Sequence, residues 1–154
     1  MLKSRGFTLI ELMAVVVVIG IFFAIAMPSY QSVIRKNTES KVQQSVLKLA
    51  SDLERHKARN YNYKNFVITG IDMPMGYSIN IFDLDNTSKS LSQDVQGRGW
   101  YIKVAPPSDD PKAQYFLMSS TGLRCKSIIE SNVNFKCEPT VTESDGSQSG
   151  SQPW

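Results

Sequence analysis

Near its start the chain carries an almost unbroken apolar run, Phe7-Thr8-Leu9-Ile10-Glu11-Leu12-Met13-Ala14-Val15-Val16-Val17-Val18-Ile19-Gly20-Ile21-Phe22-Phe23-Ala24-Ile25-Ala26-Met27. Thr8 and Glu11 are its only polar side chains. At 1.5 Å per residue a helix of this length is roughly 30 Å long, the thickness of a bilayer's hydrocarbon core. One helix here can span a membrane. In front of it, Met1-Leu2-Lys3-Ser4-Arg5-Gly6 carries two positive charges and ends on glycine, a short basic leader. Positive charge beside a span prefers the cytoplasm, which puts the N-terminus inside, although Arg35, Lys36 and Lys41 on the far side reduce the asymmetry.

Two targeting readings follow, and they predict different mature proteins. A secretory signal has a basic start, a short apolar centre and an A-x-A-like cleavage site, which Ala24-Ile25-Ala26 supplies. On that reading the run is discarded. Against it stand Glu11, an acidic group inside the apolar centre, and a helical pattern that continues well past Met27.

Gly6-Phe7-Thr8-Leu9-Ile10-Glu11-Leu12 resembles the prepilin motif of type IV pilins and the related pseudopilins, and the resemblance continues into Pro28-Ser29-Tyr30. It implies that a membrane-embedded prepilin peptidase cuts after Gly6 and methylates the new N-terminus at Phe7. Glu11 becomes the fifth residue of the mature chain and takes part in assembly. Residues 60–66, following Glu54-Arg55, resemble minor pilins of the PilE-like type.

The 154 residues suffice for one domain plus an anchor. The formal charge is +3, but without Lys3 and Arg5 fifteen basic side chains face fourteen acidic ones, so the mature chain is close to neutral and unlike a strongly basic nucleic-acid binder. Cys125 and Cys137 make one possible bridge, and a chain delivered across the membrane meets an oxidising compartment.

Beyond the span, Pro28 removes a backbone hydrogen bond and predicts a bend rather than a stop. Val42, Val46, Leu49, Ala50 and Leu53 then recur with a 3.6-residue period, while Glu39, Lys41, Lys48, Asp52 and Glu54 take the other faces. The pattern predicts a helix over 7–59, apolar all round in its first half and on one face in its second. Asn60-Tyr61-Asn62-Tyr63-Lys64-Asn65 ends it in a loop. Alternation over 76–81, 100–104 and 114–118, separated by polar loops at 85–90 and 106–111, predicts antiparallel strands. The expected fold is α+β: a long N-terminal helix, transmembrane in its first half, packed on an antiparallel sheet of about three to four strands, as in type IV pilins. Its parts are a cleaved leader 1–6, a transmembrane and filament-core helix 7–28, a headgroup 29–139 and a tail 140–154. That tail, rich in Ser, Gly and Gln, is expected to lack order apart from whatever Trp154 touches. A Cys125–Cys137 bridge would close a loop of about a dozen residues, and such a loop resembles the C-terminal disulfide loop of type IV pilins.

Few residues point to chemistry. His56, the single histidine, sits among Glu54, Arg55 and Lys57 and reads as an exposed helix residue rather than a catalytic base. No paired metal-ligand cysteines, phosphate loop or nucleophile elbow is present, so neither an enzyme nor a cofactor is expected. Asp83-Leu84-Asp85-Asn86 with Asp94 is faintly similar to a calcium loop, but Ser88 stands where the sharp turn needs glycine, and a solvated polar loop is the better reading. Tyr61, Tyr63, Phe66, Tyr77, Trp100, Tyr101, Tyr115 and Phe116 offer aromatic surface for single-stranded DNA, but aromatics at alternating strand positions usually face a core. The two cysteines lack the Cys-x-x-Cys spacing of a redox pair.

The resemblance implies a filament subunit, held first in the inner membrane as a single-pass protein with its head in the periplasm and later part of an extracellular pilus. The implied partners are other pilin subunits, the prepilin peptidase, the pilus assembly machinery and inner-membrane lipid, with DNA left open. Twitching motility and DNA uptake are the implied processes. Two rivals remain: a pseudopilin of type II secretion, whose resemblance implies a calcium loop and no C-terminal disulfide, and a filament-displayed adhesin or DNA-binding module.

Overall fold

The computed structural model describes residues 7–139, 141–142 and 148–154. Its first element, α1, is one helix of 52 residues, Leu9–Asn60, that runs through Gly20 and Pro28 and matches the expected span to within two residues at each end. The chain divides into two compact units, one ending at Asn37 and one beginning at Thr38, and α1 contributes to both.

In the first unit none of the described residues of α1 is fully buried: from Phe7 to Ile34 the large apolar side chains are exposed. Its window of highest hydropathy is long and apolar enough to cross a membrane. In the second unit the helix is amphipathic. Val42, Val46, Leu49, Ala50 and Leu53 are buried as the 3.6-residue stripe predicts, and they form one core with Ile81, Trp100, Ile102, Val104, Phe116 and Met118 of the sheet.

The main sheet has four antiparallel strands in sequence order: β1 (Ser78–Asp83), β2 (Trp100–Ala105), β3 (Tyr115–Ser119) and β4 (Arg124–Ser127). Ile81 faces Ile102 across β1–β2, and Met118 and Phe116 face Ile102 and Val104 across β2–β3. This register puts one set of alternate side chains against α1, as period-two patterning requires. The opposite face carries Leu117 and Cys125, which are register partners. They are covered by Val133 of the short 3-10 turn Glu130–Val133, with Tyr101, Tyr115, Leu123 and Cys137 packed around them. The sheet is therefore sandwiched between the helix and the disulfide loop.

The loop after α1 is tied to the loop after β1. The Tyr63 N–H donates to the Gly97 carbonyl at 3.0 Å and the Asn65 N–H to the Leu91 carbonyl at 2.8 Å. Gly97 holds a φ of +64°, and a Cβ there would stand 2.8 Å from the Lys64 nitrogen, so this crossing needs glycine.

The end of the chain departs from the expectation of a tail without order. β5 (Val141–Thr142) pairs with β6 (Gln148–Ser149). Gln152 then exchanges both backbone hydrogen bonds with Lys126 at 2.8 Å, and the Ser151 N–H donates to the Glu138 carbonyl at 2.9 Å. Trp154 packs edge-on against Phe116 with ring centres 5.9 Å apart, and its indole N–H donates to the Cys125 carbonyl at 2.9 Å. The polar composition argues only that the segment has little to bury. The exposed edge of β4, with unpaired N–H and C=O groups, gives a polar backbone something to satisfy. Within the predicted tail, 140 and 143–147 lie outside the described residues.

Candidate functional site

The residues singled out from the sequence fall into two groups, one at the start of α1 and one in the head. Gly6 lies outside the described residues, and Phe7, 77% exposed, stands directly before the helix. Thr8 caps it: its Oγ1 accepts the Glu11 N–H at 3.3 Å, and its carbonyl accepts the N–H groups of Glu11 and Leu12. Thr8-Leu9-Ile10-Glu11 thus has the spacing of a capping box, a signal present in the sequence that the motif reading passed over. It places the Glu11 carboxylate in the first turn, where the unsatisfied amides and the helix dipole favour negative charge. Glu11 is exposed, and no ion pair among the described residues includes it.

In the head, Cys125 and Cys137 are joined by a disulfide, with Cα atoms 5.8 Å apart. Cys125 sits in β4, so the bridge fastens the loop that covers the sheet's second face. Glu39, which its spacing places on a face away from the apolar stripe, is instead buried. Its carboxylate accepts from the Lys126 ammonium at 3.1 Å, with side-chain exposures of 10% and 20%. The pair ties β4 to the first turn of α1 inside the head, and removing one partner would strand a half-buried charge.

His56 corrects the expectation of an exposed helix residue. It is half-buried, its Nε2 lies 2.9 Å from the Lys64 carbonyl, and its ring meets Phe66 edge-on at 5.4 Å. A carbonyl can only accept, so Nε2 carries a proton, and the ring staples the loop after α1. Tyr63 is buried beside it, and its hydroxyl donates to Glu54 Oε1 at 2.7 Å. Burial first, then the hydrogen bond and negative charge of Glu54, push its phenol up to about 12. The buried Trp100 indole pulls weakly the other way without meeting hydrogen-bond geometry.

The loop around Asp83 is only partly the solvated loop expected. Asp85 and Asp94 are exposed, but Asp83 is 1% exposed. One of its oxygens accepts the Asn86 N–H at 3.2 Å and the other the Gly97 N–H at 3.0 Å. Lys89 donates to the Asp94 carbonyl at 3.2 Å. Asp83 therefore acts as a backbone clamp, and among the described residues no three acidic, His or Cys side chains converge on a metal position. Of the eight aromatics, Tyr63, Trp100 and Phe116 are core, Phe66, Tyr77, Tyr101 and Tyr115 are half-buried, and Tyr61 alone is exposed.

A capped, apolar helix start with a carboxylate in its first turn, leading into a four-stranded antiparallel sheet closed by a disulfide loop, is an α+β, type IV pilin-like fold. The family described as the prokaryotic N-terminal methylation motif matches residues 1–27. Among relatives, the type II secretion system core protein G of Escherichia coli K12 is 33% identical over 61 residues, 40% of this chain and 42% of that one. A type IV major fimbrial protein FimA of Dichelobacter nodosus is 46% identical over 51 residues, 33% of each chain. The type IV major alpha-pilin of Moraxella bovis is 54% identical over 39 residues, 25% of this chain and 24% of its own. The chain thus spans between about a quarter and two fifths of the relatives it matches. No solved structure matches it significantly.

Proposed function

We propose that this chain is a structural subunit, a minor pilin, of a type IV pilus, and that it is not an enzyme. It is made as a single-pass inner-membrane precursor with its head in the periplasm. The prepilin peptidase cuts after Gly6 and methylates Phe7, and the assembly machinery packs the apolar half of α1 against other pilins in an extracellular filament. Twitching motility and DNA uptake are the processes we infer for it.

The observation that carries this reading is Glu11. A carboxylate in an apolar helix costs up to a few kcal/mol in a membrane even with snorkelling, and such residues usually have a named partner. Along the described helix the nearest cation is Arg35, roughly 36 Å away at 1.5 Å per residue. Cleavage would create a new amine at Phe7, at the depth of the carboxylate, on the same chain and on every neighbouring copy.

Glu11→Ala should leave cleavage and insertion intact, because it makes the span more apolar, and N-terminal sequencing of the membrane fraction should still begin at Phe7. Its amount in sheared filaments should fall at least tenfold, with Glu11→Asp intermediate. Undiminished incorporation would sink the assembly role. The pseudopilin reading shares the N-terminal half, as the relative from Escherichia coli illustrates. The Cys125–Cys137 loop and the commitment of both Asp83 oxygens to backbone amides favour the pilin reading over it.

A further inference from the structure

We propose that the Cys125–Cys137 bridge works as a redox latch: closed, it holds the strap of residues 150–154 across the edge of β4, and opened by reduction, it releases that strap and bares the edge. The strap stands on two footings. The first is β4 itself, where Gln152 exchanges backbone hydrogen bonds with Lys126 at 2.8 Å, the Ser127 hydroxyl donates to the Gly150 carbonyl at 3.0 Å, and the Trp154 indole donates to the Cys125 carbonyl at 2.9 Å. The second is Glu138, whose carbonyl accepts the Ser151 N–H at 2.9 Å and the Ser151 hydroxyl at 2.6 Å. Cys125 opens the first footing and Cys137 directly precedes the second. The disulfide therefore ties together the two pieces of chain that the strap needs side by side.

The strap has little else to hold it. Gln152 and Pro153 are exposed, and its one large apolar side chain, Trp154, is half-buried against Phe116 with Arg124 over the ring at 6.0 Å. Ordering a short segment costs conformational entropy comparable to what a few hydrogen bonds return. A segment held at two points gains when those points are fixed relative to each other, because engaging one brings the other within reach. That gain is what the bridge supplies. The middle of the loop needs it less: Val133 is buried against Leu117, and Phe135 packs edge-on against Phe82 and Tyr101. Reduction therefore loosens the loop's ends, where the strap sits, and leaves the head folded.

The chemical step is thiol–disulfide exchange: two glutathione thiols give up two electrons and two protons and join as glutathione disulfide, while the Sγ–Sγ bond of the bridge becomes two thiols. Once the strap leaves, the Lys126 N–H and carbonyl lose their partners in Gln152. An unpaired edge is where a sheet accepts another strand, so the bridge decides whether this sheet ends at β4. Linkage fixes the size of the effect from both sides. By whatever factor the bridge favours strap docking, docking favours the bridge.

The test uses the full chain in nonionic detergent micelles. Amide hydrogen exchange is followed with the bridge closed and after its reduction by glutathione. The Lys126, Ser151 and Gln152 N–H groups should lose protection about tenfold on reduction, while the amides of β2 keep theirs. In a glutathione redox titration quenched by alkylation, Trp154→Ala should shift the thiol–disulfide equilibrium toward the thiols by the same factor, about tenfold. Ile81→Val trims the core on β1, the far edge of the sheet from β4, and should leave that equilibrium where it is. Unchanged strap protection after reduction, or a Trp154→Ala titration that overlays the parent's, would overturn the latch. Loss of β2 protection together with the strap's, or an equal shift from Ile81→Val, would overturn it too, by showing that the bridge supports only the head as a whole.

Discussion

The two halves of α1 belong to one hydrogen-bonded helix and differ in everything that surrounds it. From Leu9 to Asn37 the helix carries Gly20 and Pro28, both poor helix residues, and leaves its apolar side chains uncovered on every face. From Thr38 to Asn60 it contains neither glycine nor proline, and its apolar stripe is buried under the sheet. In water, most helical stability comes from burying such a stripe, so residues that weaken the helix are costly there. In hydrocarbon an unmade backbone hydrogen bond has no water to turn to, so a helix persists even through proline when its neighbours re-satisfy the freed groups. The exposed apolar surface of the first half far exceeds what a monomer shows to water and needs a bilayer or other helices to cover it. The same secondary structure is thus specified twice, once by its solvent and once by its packing.

The sharpest way to break this contrast is a matched pair of truncations. Leu49 is fully buried between α1 and the sheet. Leu49→Ala should cost the head about 4 kcal/mol, the lost transfer energy plus a cavity in a core that collapses only partly. Val17 in the first half touches no core. Val17→Ala should leave the head's unfolding midpoint unchanged within about 0.5 kcal/mol. Urea unfolding of both variants in detergent, followed by tryptophan fluorescence from buried Trp100, makes the comparison. Equal losses would show that the division near Asn37 has no energetic meaning.

A second prediction sharpens the contrast inside the head. Cys125→Ser should destabilise it by about 3 kcal/mol, since the bridge restricts the unfolded chain and holds the loop over Leu117 and Val133. Membrane insertion should be untouched, because the anchor owes nothing to the bridge. Alkylation of protein taken from membranes should label neither cysteine before reduction. Free thiols would remove the bridge from the native molecule.

What the sequence could disclose follows the same line. Periodicity is local, so the α1 stripe and the first three strands were readable from Val42, Val46 and Leu49 and from the alternation in 100–104. Partners far apart in sequence were not. Nothing in the composition couples Glu39 to Lys126, 87 positions on, or brings Gln152 to the β4 edge. Asp83 reads as part of a solvated polar loop, because its type is visible and its amide donors, Asn86 and Gly97, are not. At the proposed processing and assembly site the type and spacing of Gly6, Phe7 and Glu11 are themselves the signal. Thr8 belongs with them by its capping-box spacing, to which the motif itself assigns no role.

The smallest expected effect lies where α1 ends, at Tyr63. This tyrosine is 2% exposed, its backbone N–H donates to Gly97, and its hydroxyl donates to Glu54. Its phenol is raised from 10.0 to about 12, mainly by burial and then by Glu54. The neutral form is the one the fold prefers. Below pH 10 the phenol is protonated in both folded and unfolded chains, and its contribution is fully present. Between pH 10 and about 12 the unfolded chain loses the proton while the folded chain keeps it, so stability falls as pH rises, by an amount on the order of 2 kcal/mol. Tyr63→Phe should cost about 1 kcal/mol at neutral pH, the net worth of one hydrogen bond, and should abolish this part of the alkaline slope. Every other side chain is common to both proteins, so the difference between the two urea midpoints across this window isolates the phenol. Identical slopes would mean that the hydroxyl meets Glu54 without being shielded from water, and that the end of α1 is held by its backbone and His56 contacts alone.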